Sequence, residues 1–170
     1  MHKITVSIGD IDDAIKQFEE YEKKVQQNIK DFLKKLLEDG VQIAKAKVAS
    51  LNAVETGDLL NSLDKYIYID GKLGVIFTGS EYACFVEFGT GVAKNGGVGK
   101  SSHPKGEELG MTIGTYGEKK GANPNGWWYF DEKQGRKRWT KGMPSRPFMY
   151  ETAKELESKV IEIAREVFSK

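Results

Sequence analysis

One cysteine, Cys84, two histidines and four prolines are spread over 170 residues. A lone sulfur excludes an internal disulfide framework and any cysteine-based zinc cluster, since each needs several sulfurs at set spacings, and it fits a reducing compartment. The histidines are His2, at the start of the chain, and His103, in a loop between Ser102 and Pro104. They are too few for a transition-metal site, and neither neighbours Cys84, which therefore reads as a small core residue rather than a nucleophile. No apolar run reaches transmembrane length. Ile4, Val6 and Ile8 alternate with polar residues before the chain turns acidic, which leaves no signal-peptide core. A soluble protein made in a cytoplasm is expected. Excess charge of one sign is also lacking: 26 Lys+Arg against 25 Asp+Glu give a net charge of +1, so the chain as a whole does not seek polyanions.

What is present is the composition of a folded soluble domain, 39% hydrophobic and 30% charged, at a length that suits one domain over residues 1–170. The charge is unevenly placed. Between Gly91 and Pro147 eleven Lys/Arg stand against five Asp/Glu, and twelve of the 19 glycines and all four prolines fall there. Residues 92–141 therefore read as a loop-rich basic insertion, of the kind that is functional or orders on binding.

Hydrophobic periodicity gives the rest of the fold. Lys3 to Ile8 alternates as a half-buried strand does. From Asp10, apolar residues at Ile15, Phe18, Val25, Ile29, Phe32 and Leu36 fall on one helical face, interrupted by Glu22, and the pattern resumes past Gly40 through Val41, Ala44 and Val48. A helix from Ile11 to Ala49 would be about 58 Å long, against a domain diameter near 40 Å. It must overhang the domain, its apolar end then needing a partner, or bend at Gly40 and fold back. Thr56 or Asp58 can cap a short segment, Leu59 to Leu63. Tyr66–Ile69 and Leu73–Thr78 read as a hairpin turning at Asp70-Gly71. Ser80 can cap a short amphipathic helix, Glu81 to Phe88, ended by Gly89. Gly126–Phe130 and Arg138–Thr140, flanking Lys133 to Arg136, read as a second hairpin with half its aromatics facing the core. Arg146-Pro147 opens a last helix whose stripe is Met149, Ala153, Leu156, Val160, Ile163 and Val167. The expected class is α+β: a long N-terminal helix and a C-terminal helix packed on a small, mainly antiparallel sheet of about five strands, with a long loop and hairpin insertion.

Chemical motifs are weak. Gly99-Lys100-Ser101 resembles the end of a phosphate loop, but the first glycine of that pattern is replaced by Lys94. Gly89-Thr90-Gly91 is a helix stop rather than a dinucleotide fingerprint. A Ser/His/Asp or Cys/His site would need His103 on a rigid element, and nothing in the sequence anchors it. No catalytic, metal or cofactor residue is assigned. Glu87, between Val86 and Phe88, is either a satisfied buried carboxylate that holds the following loop or an interface ion-pair partner, the structural role being favoured. Trp127 to Lys141 mixes cations with aromatics, as both nucleic-acid and protein interfaces do, and protein contact is favoured.

Three segments carry a family resemblance. Thr56-Gly57-Asp58-Leu59-Leu60-Asn61-Ser62-Leu63 resembles a T-G-x-L-x-x-S-[IL] element, Ser80 to Gly91 a Y-A-x-[FY]-V-E-[FY]-G-T-G signature, and Gly142 to Tyr150, followed by Ala153, a closing P-x-x-P-F-[ML]-x-x-A whose alanine position is one residue before Ala153. In this order they are similar to the tail-completion and head-tail connector family of tailed bacteriophages, named for the tenth gene product of a lambdoid phage and tail terminator-like. The insertion 92–141 departs from its short pattern. The resemblance implies a structural virion assembly protein without catalysis or cofactor, a ring of six copies at the neck or head-proximal end of a tail. Its implied partners are itself, connector or stopper proteins and the tail tube, with DNA passing through the lumen and no membrane. Its implied place is the virion, after assembly in the host bacterial cytoplasm. In that reading Tyr82, Phe85, Val86 and Phe88 anchor the signature helix into the sheet, and Glu87 orients the turn. Gly89, Thr90 and Gly91 form that turn, and Pro147 and Phe148 lock the last helix. Partner binding is expected at Arg136, Lys137, Arg138 and Trp139, with His103 and Lys105 as further candidates. The competing readings are a nucleic-acid-binding module using the hairpin 127–141 and a small hydrolase using Glu87 or His103.

Overall fold

The computed structural model describes residues 8–51, 57–94, 97–98, 103–110, 127–131, 134–140 and 142–169. The strand expected at Lys3 lies outside these residues except for Ile8, which is already helical. Helix α1, Ile8–Ser50, runs 43 residues through Gly40 without a break. Every residue from Gly9 to Lys24 is exposed, whereas Leu37, Val41, Ile43, Ala44 and Val48 are buried. The long helix therefore overhangs the core and does not fold back. Gly40 serves close packing instead of a hinge: a Cβ there would fall on Ile76 Cδ1 and lie 3.0 Å from Leu156 Cδ2.

After α2 (Asp58–Asn61), strands β1 (Leu63–Ile67) and β2 (Gly74–Thr78) pair antiparallel, Leu63 opposite Thr78 and Ile67 opposite Gly74. The strand begins earlier than expected and leaves Tyr68 and Ile69 to the turn. That turn is longer than the two-residue type the Asp70-Gly71 dipeptide suggested. Tyr68 N–H donates to Leu73 O and Gly71 N–H to Tyr68 O, so Ile69 and Asp70 take the central positions. Gly71 follows at φ 65, and Asp70 Oδ1 accepts from Lys72 N–H at 3.0 Å. Capping also differs from expectation, because α2 has Gly57 at its N-cap with no side-chain bond; Asp58 is its first helical residue.

Helix α3 (Ala83–Phe88) leads to β3 (Gly91–Lys94) and β4 (Gly97–Val98), then, still within the insertion, to β5 (Trp127–Asp131) and β6 (Arg136–Thr140), and past it to β7 (Gly142–Met143) and α4 (Phe148–Phe168). Among the described residues the strands form three small antiparallel sheets, β1-β2, β4-β3-β7 and β5-β6, instead of one. The α+β class is as expected, but helices build the core. Ala44 and Val48 of α1 meet Leu59, Leu63, Ala83, Val86 and Phe148 in one buried cluster. Helix α4 runs antiparallel beside α1, tied by Lys35–Glu166 at 3.3 Å and Lys47–Glu155 at 2.8 Å. On α4 the buried face is Phe148, Thr152, Ile163 and Val167, while Ala153, expected inside, is exposed. Thr152 tolerates burial because its hydroxyl donates to Phe148 O at 2.6 Å.

Candidate functional site

The three motif segments converge around α3. Tyr82 reaches back to the first, its hydroxyl accepting from Leu59 N–H at 3.1 Å. Val86 O accepts from Arg146 N–H at 2.8 Å, and Glu87 O from the Ser145 hydroxyl at 2.6 Å, which bind the third. Thr90 exchanges bonds with Met143, its N–H donating to Met143 O and its hydroxyl accepting from Met143 N–H. Between them Gly89 holds φ 76, and a Cβ there would lie 2.5 Å from Ser145 N and 2.8 Å from Met143 O. Only glycine fits that conformation and that approach. Val86 and Phe88 are buried and Tyr82 packs against the core cluster. The signature helix is thus anchored into a helical core, not into a sheet. Ser80 does not cap it: its backbone carbonyl accepts from Ala83 N–H, and its hydroxyl is buried without a partner.

Glu87 is the centre of this arrangement. Its side chain accepts from Met149 N–H at 2.8 Å and Tyr150 N–H at 3.0 Å, so it caps the first turn of α4, where the helix dipole favours a carboxylate. Its third partner is His103 Nε2 at 3.0 Å. Lys105 N–H donates to His103 Nδ1, which assigns the ring hydrogen to Nε2 and makes Nε2–H the donor to Glu87. His103, expected to be unanchored, is therefore firmly held, 6% exposed, with its ring tilted against Phe88 at 4.4 Å and edge-on to Tyr150 at 5.5 Å between ring centroids. Beside the pair lies an open apolar groove of about 330 Å³ lined by Ala83, Cys84, Phe88, Leu109, Met149 and Tyr150 among others. Cys84 is exposed at this groove and is not a core residue. Both ring nitrogens of His103 are engaged, Nε2 with Glu87 and Nδ1 with the Lys105 amide, so the ring is not positioned as a base for Cys84. Among the described residues no three His, Cys, Asp or Glu side chains are grouped to hold a metal ion, and no helix is long and apolar enough to cross a membrane.

The other binding candidates lie on the second hairpin. Its register sets Trp128 opposite Trp139, Tyr129 opposite Arg138 and Phe130 opposite Lys137. Arg138 bonds Asp131 Oδ2 at 3.1 Å, and Arg136 Nε donates to Gln134 Oε1 at 2.9 Å. Trp128, Tyr129, Phe130 and Trp139 are all exposed, so among the described residues the aromatics of this hairpin do not show the expected alternation between core and solvent. Lys105 is apart from this cluster, on the 103–110 segment, where it pairs with Glu108 at 3.5 Å. The phosphate-loop look-alike lies largely outside the described residues, apart from the β3–β4 pairing of Lys94 with Gly97.

Residues 12–89 match the family model described as HK97-gp10-like, "Bacteriophage HK97-gp10, putative tail-component". No curated protein and no solved structure matches the chain. The matched span covers most of α1, the first hairpin and the signature helix, and it stops before the insertion. The resemblance carried by the motifs is borne out by that match: from α1 to the end of the signature helix the chain is similar to the HK97-gp10-like phage tail components.

Proposed function

We propose that this chain is a structural virion protein of a tailed phage or phage-like particle. In this reading it is a single tail-completion domain over residues 1–170 that forms a ring of identical copies, six by the family resemblance, at the neck or head-proximal end of the tail. There it terminates the tail and joins it to the head connector, and it performs no catalysis. The observation that carries the reading is the overhang of α1. Ile11, Ile15 and Phe18 repeat at helical spacing yet are exposed, Phe18 by 73%, and a helix with such a stripe buries it against another molecule. The buried Glu87–His103 pair supports a non-enzymatic role, because its polar atoms are engaged with each other and with α4.

Electron microscopy of lysates from a strain lacking this gene, beside its complemented control, tests the reading. Filled heads lying apart from tails indicate joining, and tails of uncontrolled length indicate termination; normal infectious particles would sink both. A second reading, a nucleic-acid-binding module, is favoured by the exposed rings of β5 and β6. It requires salt-sensitive DNA binding, and a flat titration at low salt removes it.

A further inference from the structure

Resting on the ring reading above, we propose that the overhanging end of α1 in one copy docks on the aromatic face of the β5–β6 hairpin in the next, with Glu22 meeting Lys137. Residues directly opposite in an antiparallel pair share a face, as do alternate residues along a strand. The observed register therefore gathers Trp128, Phe130, Lys137 and Trp139 on one face. Its rings are 62%, 58% and 45% exposed, and Trp128 meets Trp139 edge to face at 5.4 Å. A bare two-stranded hairpin is marginal in water, and clustered tryptophans are the composition of an interface centre.

The α1 overhang complements this face in pattern, charge and size. At about 100° per residue, Ile11, Ile15, Phe18 and Glu22 lie within an arc of about 60°. The stripe is thus apolar with one anion inside it, and the hairpin face is aromatic with one cation inside it. From Asp10 to Glu22 there are six acidic residues and one basic, Lys16. The described residues of the hairpin hold one acid, Asp131, against Arg136, Lys137 and Arg138. Ile11 to Glu22 spans about 16 Å of helix, close to the roughly 17 Å of a five-residue strand. Because stripe and hairpin are different surfaces of the same chain, their pairing can run head-to-tail from copy to copy, the contact type from which a closed ring of the proposed kind is built. A nucleic acid fits the face less well. Tracking a phosphate backbone takes several cations, whereas among the described residues this face presents one, Lys137, and Arg138 on the opposite face is bonded to Asp131.

The test uses the full-length chain, supplied to a deletion strain and followed by immunoblot of purified particles. Glu22→Lys and Lys137→Glu are each expected to lower incorporation about tenfold or more, with unchanged thermal melts of the purified variants, and the double variant is expected to restore it. Single reversals that incorporate normally overturn the docking while leaving the ring reading intact; absence of the unaltered chain from particles overturns both. In a Cys84→Ser background, Glu19→Cys and Lys137→Cys chains are expected to form mixed disulfides on oxidation only when co-expressed. Self-linkage of Glu19→Cys chains alone would mean that α1 pairs with α1 instead. Salt-sensitive oligonucleotide binding abolished by Trp128→Ala would assign the face to nucleic acid, and either result overturns the proposal.

Discussion

His103 Nε2 lies 3.0 Å from Glu87 Oε1 with both side chains buried, and this bond, together with the packing of the His103 ring on Phe88, ties the insertion to the signature helix. The same carboxylate caps α4 through Met149 and Tyr150, so the insertion, the signature and the closing motif share a single acceptor group.

Removing that acceptor is expected to be costly. Glu87→Ala leaves the Met149 and Tyr150 amides and the His103 ring without their partner, a loss of about 2 to 4 kcal/mol. Glu87→Gln, which keeps one acceptor oxygen but turns an amide NH2 toward donors, should lose roughly 1 to 2 kcal/mol. Urea denaturation of both variants measures this, and an unchanged midpoint for Glu87→Ala would refute the capping role. His103→Ala should act locally, raising hydrogen exchange at the Lys105 amide while α1 and α4 stay protected.

At Gly40, α1 lies close against Ile76 of β2 and Leu156 of α4. Gly40→Ala gains about 1 kcal/mol of helix propensity but drives a methyl onto Ile76 Cδ1, an overpacking cost of about 1 to 3 kcal/mol. A net loss is expected. Ile76→Val deletes the obstructing carbon, so the double variant should be more stable than the sum of the single changes predicts. Simple additivity in a four-protein denaturation cycle would show that Ile76 is not the obstacle.

The sequence was most legible where a pattern repeats over many residues. The periods of α1 and α4, and the dipeptide and aromatic alternation of the two hairpins, located those elements to within a few residues. Short elements fared worse: α3 has six residues, less than two turns, and periodicity could not say which side of it Cys84 faces. The aromatic alternation of β5 and β6 misled because alternation implies burial only when a core lies beneath one face, and here Tyr129 on one face and Trp128, Phe130 and Trp139 on the other are all exposed. His103 was illegible for another reason. Its partners Glu87 and Tyr150 are 16 and 47 residues away along the chain, and the loop around it has no period from which a tertiary contact could be read.

The Lys47–Glu155 clasp, 2.8 Å between α1 and α4, sets a pH dependence whose sign follows from its two shifts. The hydrogen bond from Lys47 holds the Glu155 carboxyl below its ordinary range, and the bond to Glu155 raises Lys47. The depressed carboxyl contributes stability at neutral pH that is lost as pH falls through its lowered range; the raised ammonium contributes stability that is lost as pH climbs through its own. Both groups are solvated, so the effect is small and weakens with salt. Melting curves of the protein and of Glu155→Gln should differ at neutral pH and converge below the carboxylate range. A gap that persists at acid pH would contradict the clasp.

The overhang of α1 separates folding from assembly. Gly9 to Lys24 are exposed throughout, so Ile15→Asp and Phe18→Asp should leave denaturation midpoints within about 0.5 kcal/mol of the parent. Val41→Asp, on the same helix but buried, places a charge in the core and should unfold the chain. If the stripe is the contact between copies, the two overhang variants stay monomeric by light scattering and fail to complement a deletion strain, despite their intact fold. Full complementation by Phe18→Asp would show that α1 reaches into solvent for some purpose other than assembly. Loss of stability in that variant would mean that the stripe is covered within the chain itself.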